Sequence, residues 1–258
     1  METVTHSGRA TAYRQTDRGA SGDPVLFVHG SGGSHEVWKA QLGRLSSTVP
    51  VVAVDLSGHG ESDDVDAEAG WGALSAYASD VHAVARETGA TAFVGNSLGG
   101  AVVMHLLLER DVSPDAVVLA GSGAKLAVLD DLLAWLDDDF DRAVEFLHAE
   151  DRLFHDPDDQ YVELSKEGMY DVGQRVTRRD FRSCHSFDVR DRLDDVAAPT
   201  LAVVGEHDRL TPPSYHEYLA DNVQDGRYAE IEDAAHLAML ERPEAFNGAL
   251  TSFLDDVR

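Results

Sequence analysis

A serine stands at a turn between a strand-like and a helix-like segment, where it can serve as a nucleophile. Ser97 lies in the run Gly95-Asn96-Ser97-Leu98-Gly99, after the apolar residues 92–94 and before the apolar segment 101–108. Glycines on both sides allow a tight turn that lifts the hydroxyl clear of the backbone, because side chains there would collide. This pattern predicts a nucleophile elbow, with serine attack on a carbonyl carbon as its chemistry.

A base, an acid and a glycine-rich loop each follow a different predicted strand. His236 comes after the last strand, Asp208 after the run Val203-Val204, and Ser31 after the first central strand. A hydroxyl needs a base to take its proton, and a neutral imidazole is available near pH 7. The chain order serine, aspartate, histidine is one of the known orders of a Ser-His-Asp triad. Ser97, Asp208 and His236 are therefore the predicted catalytic residues.

The elements that position these residues alternate between strand and helix. Strands are predicted at 11–16, 25–28, 51–54, 91–94, 116–120, 199–204 and 227–231, and helices at 38–45, 74–88, 101–108, 214–222 and 243–254. Such alternation predicts βαβ units, a parallel sheet and helices on both faces. The carboxyl ends of parallel strands share one edge, so residues far apart in sequence are expected to meet there.

The alternation stops between residues 125 and 189, which we call the cap segment. It is helical in character, with Pro157 and Gly168 as predicted breaks. We interpret it as an insertion over the site, so the predicted core comprises residues 1–124 and 190–258. Its aromatic side chains predict an apolar acyl pocket: Trp135, Phe140, Phe146, Phe154, Tyr161, Tyr170, Phe181 and Phe187. Trp38, Ser122 and Trp135 are the named candidates for its lining, with packing in the core as the alternative for the two tryptophans and a solvated loop position as the alternative for Ser122.

Together these motifs resemble α/β-hydrolase fold enzymes that carry a cap, a group that includes small carboxylesterases, enol-lactonases and carbon–carbon bond hydrolases. Residues 29–33 (His-Gly-Ser-Gly-Gly) are similar to the family's oxyanion loop, and residues 55–62 to its Asp-x-x-Gly-x-Gly-x-Ser turn. The elbow and the loops of Asp208 and His236 complete the resemblance over about 24–123 and 197–254. It implies a mostly parallel sheet of the eight-stranded type under a helical cap.

The resemblance also implies a mechanism without metal or organic cofactor. Ser97 is acylated, His236 is the base, Asp208 orients it, and the backbone amides of Ser31 and Leu98 form the oxyanion hole. The expected substrate is a small ester, lactone or related acyl compound. Carbon–carbon bond hydrolysis, cofactor-free perhydrolysis of the haloperoxidase type, and a ligand receptor that keeps the triad remain as alternatives.

Three residues compete for these roles. His207 adjoins Asp208, Asp233 lies near His236, and Cys184 has His185 beside it. We expect His207 on the surface and Asp233 in a turn. Cys184 follows no strand, which argues against a cysteine nucleophile. His29 is expected to hold nearby loops together.

Composition narrows the class of protein. The chain of 258 residues has 47 acidic against 21 basic residues, a net charge of −26. Such a surface repels nucleic acid and anionic membrane. The chain has no apolar run long enough to cross a membrane, no apolar leader segment, and a single cysteine. We therefore expect a cytoplasmic protein. It is expected to act as a monomer or a homodimer on a small molecule.

The acidic excess predicts adaptation to high salt, which we test by thermal melting. In molar KCl the Debye length falls to about 3 Å, so self-repulsion between carboxylates is screened. The melting temperature is expected to rise between dilute buffer and molar KCl. Greater stability in dilute buffer contradicts the prediction.

Overall fold

A computed structural model describes residues 1–257, and it contains one sheet of eight strands. The strands are β1 (Glu2–His6), β2 (Arg9–Thr16), β3 (Val25–Val28), β4 (Val51–Val54), β5 (Ala92–Asn96), β6 (Ala116–Ala120), β7 (Thr200–Gly205) and β8 (Gly226–Ile231). Their order across the sheet is β1-β2-β4-β3-β5-β6-β7-β8. β1 pairs antiparallel with β2, and β2 with β4, whereas the pairs from β4 to β8 are parallel. The predicted mostly parallel sheet is confirmed.

The central strands are apolar on both faces, as buried parallel strands require. Every residue of β3, β4, β5 and β6 is buried. β1, by contrast, was not predicted. Its sequence, Glu-Thr-Val-Thr-His, is mostly polar and partly exposed, and it lies at the edge of the sheet. Because side chains of this edge strand remain exposed to solvent, they need not be apolar, and the strand pattern in the sequence is weak.

Helices cover both faces of the sheet. They are α1 (Lys39–Arg44), α2 (Trp71–Thr88), α3 (Leu98–Glu109), α4 (Asp130–Asp138), α5 (Phe140–Leu147), α6 (Asp159–Ser186), α7 (Pro213–Asn222), α8 (Ala238–Glu241) and α9 (Pro243–Val257). One buried apolar cluster contains side chains of α2, α3 and α7, and a second contains those of α1, α8 and α9. The predicted layers of helix, sheet and helix are therefore confirmed.

The cap segment contains α4, α5 and α6. Lys125 and Asp188 form an antiparallel bridge that joins the two ends of the segment. Pro157 lies before α6, but Gly168 lies within it, so the break predicted there is wrong. The interruption is at Gly173, whose φ of 80° lies in the left-handed region that glycine tolerates best. The division into core and cap stays a prediction.

None of the helices described over residues 1–257 is long and apolar enough to cross a bilayer.

Trp38 lies in the core and not in the pocket lining, for which it was a candidate. Its ring is fully buried, with its centroid 5.0 Å from that of Phe27 and 6.2 Å from that of Phe246. The side chain thus fills the space between β3 and α9. An aromatic on a short helix next to an apolar strand has the same sequence pattern in either role, which is why the sequence left both roles open.

Replacing Trp38 with alanine is expected to destabilise the protein by about 3–5 kcal/mol, the usual cost of removing a large buried aromatic. Urea unfolding of the wild type and Trp38→Ala measures this cost. The matched control is Trp71→Ala, since the Trp71 side chain is 45% exposed, and it is expected to cost less than half as much. Equal losses from the two variants contradict the assignment of Trp38 to the core.

Candidate active site

Ser97 occupies a strained turn between β5 and α3. Its φ of 54° and ψ of −117° are unusual for a residue with a side chain, and such a conformation costs on the order of 1–3 kcal/mol. The backbone N–H of Ser97 donates to the carbonyl of Ala120, 2.9 Å away. The turn is therefore anchored to β6, and its strain is held by the surrounding sheet.

Two glycines make this turn possible. A Cβ added at Gly95 would lie 2.5 Å from the carbonyl carbon of Gly99, and one added at Gly99 would lie 2.3 Å from the carbonyl oxygen of Val28. Both distances are shorter than real side chains tolerate. The steric reason predicted for the pattern therefore holds, and the second glycine also lets α3 approach β3.

Two backbone amides lie beside Ser97. Leu98 is the first residue of α3, where the N–H groups of a helix have no partner in the helix itself. Ser31 belongs to the loop 29–33, which touches the serine, since a Cβ at Gly30 would lie 3.1 Å from that of Ser97. The structure gives neither amide an acceptor within residues 1–257. Both are thus available to an anionic oxygen.

His29 fixes the orientation of one of these amides. The N–H of Leu56 donates to its Nε2 over 3.1 Å, and its Nδ1 donates to the carbonyl of Gly30 over 2.8 Å. That carbonyl and the N–H of Ser31 belong to the same planar peptide unit. Burial, with the nearby His59, lowers the pKa of His29 to about 4, so the ring stays neutral. His29 is structural, as expected.

Asp208 and His236 form a buried pair at the ends of β7 and β8. The Nδ1 of His236 lies 2.8 Å from Oδ2 of Asp208. Burial opposes the charge of this carboxylate, but His236 and hydrogen bonds from Thr211 outweigh burial and lower the pKa of Asp208. A carboxylate accepts, so Nδ1 carries the proton and Nε2 keeps its lone pair. The ring is thereby prepared to act as a base.

Thr211 is a site residue that the sequence analysis missed. Its backbone N–H donates to Oδ1 of Asp208 over 2.9 Å and its hydroxyl to Oδ2 over 2.8 Å. The N–H of Leu210 also donates to Oδ1. The sequence contained a signal for this role. When a threonine follows an aspartate by three residues in a turn, its amide and hydroxyl can donate hydrogen bonds to the aspartate carboxylate.

Two of the three rival residues, Asp233 and His207, lie outside this arrangement, whereas Cys184 is buried in the wall of the cavity that Ser97 lines. Asp233 is exposed in a turn with φ of 52°, and His207 is partly exposed. His207 forms a group with Asp151 and His155 whose side-chain ligand atoms lie within 4.8 Å of one another. The two histidine rings, however, stack at 3.7 Å with only 20° between their planes. Since a metal ion lies in the plane of each imidazole it binds, this geometry suits stacking better than shared coordination.

A cavity of about 380 Å³ opens beneath the cap segment and brings the predicted residues together. Ser97, His236 and Ser31 all line it. Of the eight cap aromatics, Phe146 and Phe181 contribute to the lining, together with leucines and Met169. The lining is mostly apolar and includes the polar residues Ser31, Ser97 and His236, which suits an apolar acyl group.

Ser122 lies beneath the elbow and outside the cavity lining. Its hydroxyl donates to the carbonyl of Ser97 over 3.0 Å, and its N–H donates to Nε2 of His216 over 2.8 Å. It therefore supports the turn from below. The prediction that Ser122 lines the pocket is corrected, because the loop after β6 folds under α3.

Trp135 also lies outside the lining, and so does Trp38. The Trp135 ring packs against Phe146 at 5.2 Å, and the Arg142 guanidinium covers it at 4.3 Å. Phe146 thus stands between Trp135 and the cavity. Helical periodicity predicts that an aromatic faces inward, but it does not say which of two stacked aromatics reaches the cavity.

Comparisons with known proteins agree on one family. A sequence model of the alpha/beta hydrolase family matches residues 25–249. The chain is 29% identical to a pimeloyl-acyl-carrier protein methyl ester esterase of Neisseria meningitidis, over 95% of this chain and 99% of that protein. It is 24% identical to 3-oxoadipate enol-lactonase 1 of Acinetobacter baylyi, over 99% and 97%. The solved structure of a thermophilic esterase, 29% identical, superposes with a TM-score of 0.86 over 99% of this chain and 97% of that one.

Replacing Asp208 with asparagine is expected to lower kcat for a p-nitrophenyl ester on the order of 10⁴-fold, because the amide no longer selects the Nδ1–H tautomer of His236. Thermal melting checks that the variant is folded. Asp233→Asn, the matched change at the exposed rival, is expected to keep kcat close to that of the wild type. A larger loss from Asp233→Asn than from Asp208→Asn contradicts the assignment.

Proposed function

This chain belongs to the alpha/beta hydrolase family, and we propose that it is a serine hydrolase that cleaves small esters or lactones through Ser97, His236 and Asp208. The observation that carries the proposal is the buried hydrogen bond of 2.8 Å between Asp208 and His236, on the wall of the cavity that Ser97 also lines. Acyl transfer needs a nucleophile, a base and donors to an oxyanion. The candidates for these roles are the strained Ser97, the oriented imidazole of His236 and two backbone amides.

In the first half of the reaction the Ser97 Oγ attacks the substrate carbonyl carbon while Nε2 of His236 takes its proton. The carbonyl oxygen becomes an oxyanion, which accepts hydrogen bonds from the amides of Ser31 and Leu98. The bond from the carbonyl carbon to the leaving oxygen then breaks, and His236 returns the proton to that oxygen. An alcohol leaves and Ser97 is acylated. In a lactone the leaving alcohol stays attached to the acyl group.

In the second half water replaces the alcohol. His236 takes a proton from the water as its oxygen attacks the acyl carbon, and the same two amides hold the oxyanion. The ester bond to Ser97 breaks, and His236 protonates the Ser97 oxygen. The net reaction consumes one water and yields an acid and an alcohol.

Asp208 stays ionised throughout and stabilises the imidazolium that forms in each half. Because the pKa of Asp208 is lowered, its carboxyl group is ionised at neutral pH. Four hydrogen bonds hold its oxygens, from Leu210, from the amide and hydroxyl of Thr211, and from His236. The carboxylate is therefore fixed before substrate binds, which avoids reorganisation in the transition state.

The mostly apolar lining of the cavity suits a substrate with a small, mostly apolar acyl group. Arg209 is the lysine- or arginine-type charge of the lining described over residues 1–257, and its side chain is 72% exposed and paired with Asp151. The two relatives named above are an esterase of a methyl ester and an enol-lactonase. Ester or lactone hydrolysis is therefore the reaction that we propose.

We also propose that the enzyme works at high ionic strength in the cytoplasm. The net charge of −26 supports the first part, as does the choice of basic residues, of which three are lysines, at positions 39, 125 and 166. The second part rests on the single cysteine, Cys184, since reducing compartments disfavour disulfide scaffolds.

Replacing Ser97 with alanine is expected to lower kcat for p-nitrophenyl butyrate by at least about 10⁴-fold and to abolish labelling by a fluorophosphonate. The assay is run in molar KCl, with adduct formation followed by intact-mass spectrometry. Ser165→Ala is the matched control, because Ser165 is a second serine of the same cavity whose hydroxyl pairs with His148. It is expected to keep both turnover and labelling.

Two outcomes contradict the proposal. A folded wild-type protein that takes no fluorophosphonate label has no activated serine. A protein that turns over once and then holds its product, with a change in the cap segment, is a receptor rather than a hydrolase.

A further inference from the structure

A buried carboxylate on the cap helix α6 reaches the loop that carries the Ser31 amide. Asp180 is fully buried, and its Oδ2 accepts from Nε2 of His59 over 2.8 Å. Its Oδ1 accepts from the hydroxyl of Tyr77 over 2.6 Å. A third donor is the N–H of Gly32, 3.4 Å from Oδ2. The proposed reaction uses none of these side chains, yet a buried charge of this kind is costly unless it is fully paired.

His59 supplies the compensating charge. Its Nε2 faces Asp180, and its Nδ1 lies 3.2 Å from the carbonyl of Ser57, so both ring nitrogens face acceptors. Both can donate only in the imidazolium form. Burial works against that form, but the charge and hydrogen bond of Asp180 prevail and raise the pKa of His59. The turn 55–62 thus contributes a cation to the cap, a role the sequence analysis did not give it.

Arg179 closes the other side of the network. Its Nε donates to the Tyr77 hydroxyl over 2.9 Å, which leaves the hydroxyl proton for Asp180. Its remaining donors reach the carbonyls of Ser57 and Val65 and the carboxylate of Asp64. The carboxylate of Asp180 is therefore surrounded by fixed donors, so its position, and that of α6, is set by the core.

The loop is held on both sides of Ser31. His29 fixes the peptide unit that contains the Ser31 N–H, through the Gly30 carbonyl. Asp180 holds the next peptide unit, through the Gly32 N–H. Two further α6 residues touch the same loop. Met169 would lie 3.0 Å from a Cβ at Gly32, and the Sγ of Cys184 lies 3.8 Å from the Ser31 hydroxyl. One anchor belongs to the core and the other to the cap.

We propose that Asp180 is a positioning residue for the oxyanion hole: its carboxylate, neutralised by His59, holds the Ser31–Gly32 peptide so that the hole is complete only while α6 is seated on the core. The cap segment then has two tasks, since it roofs the cavity and also assembles part of the catalytic apparatus. This inference rests on the proposed serine hydrolase function, because it assigns the Ser31 amide to the oxyanion.

The test separates transition-state stabilisation from ordinary support of the fold. Asp180→Asn keeps the size of the side chain but offers one acceptor oxygen to three donors. We expect kcat for p-nitrophenyl butyrate to fall about tenfold to a hundredfold, the cost of a displacement near 1 Å, while KM changes little. A trifluoromethyl ketone, whose adduct with Ser97 carries an oxyanion, is expected to bind at least tenfold more weakly. The matching methyl ketone, which reports ground-state binding, keeps its affinity.

Asp137→Asn is the matched control. Asp137 of α4 pairs with Arg178 and Arg182 of α6, the helix that carries Asp180, at partly exposed positions. It is expected to leave kcat and both ketone affinities at wild-type values. Should Asp180→Asn fail to fold, His59→Gln carries the same test, because it removes the cation that neutralises Asp180. Its effect is expected in the same direction.

The inference is overturned if the folded variant keeps wild-type kcat, or if the two ketones weaken equally, since equal weakening indicates general loosening of the site. These outcomes are distinct from failure of the proposed function. In that case the wild type itself shows no Ser97-dependent turnover, whatever Asp180 does.

Discussion

Crowding of the backbone where β5 turns into α3 is the constraint on which the site depends. Gly95 and Gly99 let three chain segments approach more closely than any side chain would allow, and Ser97 is held in a left-handed conformation at their meeting point. The backbone strain at Ser97 is sustained because its N–H is hydrogen-bonded to β6 and because β3 packs against the start of α3. The same approach places the Leu98 amide, which has no acceptor within its own helix, directly after Ser97.

The fold was largely predictable from sequence, because the central strands are apolar on both faces and end in polar or glycine-rich turns. The order of Ser97, Asp208 and His236 along the chain sufficed to predict their neighbourhood, since parallel strands deliver their ends to one edge. The edge strand β1 escaped prediction because its pattern is weak. The break at Gly173 escaped because a glycine's φ depends on the tertiary structure around it.

Side-chain partners over long sequence distances were beyond the sequence. Trp38 and Trp135 were candidates both for the pocket and for the core, and each packs against another aromatic. The network around Asp180 joins residues 32, 59, 77 and 179 from four elements, and no local pattern links them. These contacts support a proposed second task for the cap segment, because the buried carboxylate of Asp180 accepts hydrogen bonds from His59 and Tyr77 of the core and from the loop 29–33. Catalysis and the docking of α6 are coupled in this account.

The most direct measurement is a crystal structure of the protein after reaction with a fluorophosphonate. We expect phosphorus to be bonded to the Ser97 oxygen, and the phosphoryl oxygen to lie about 2.7–3.1 Å from the amides of Ser31 and Leu98. Nε2 of His236 is predicted beside the Ser97 oxygen, with Asp180 still bonded to Gly32. An adduct on another residue, or a phosphoryl oxygen that turns away from both amides, would contradict the account.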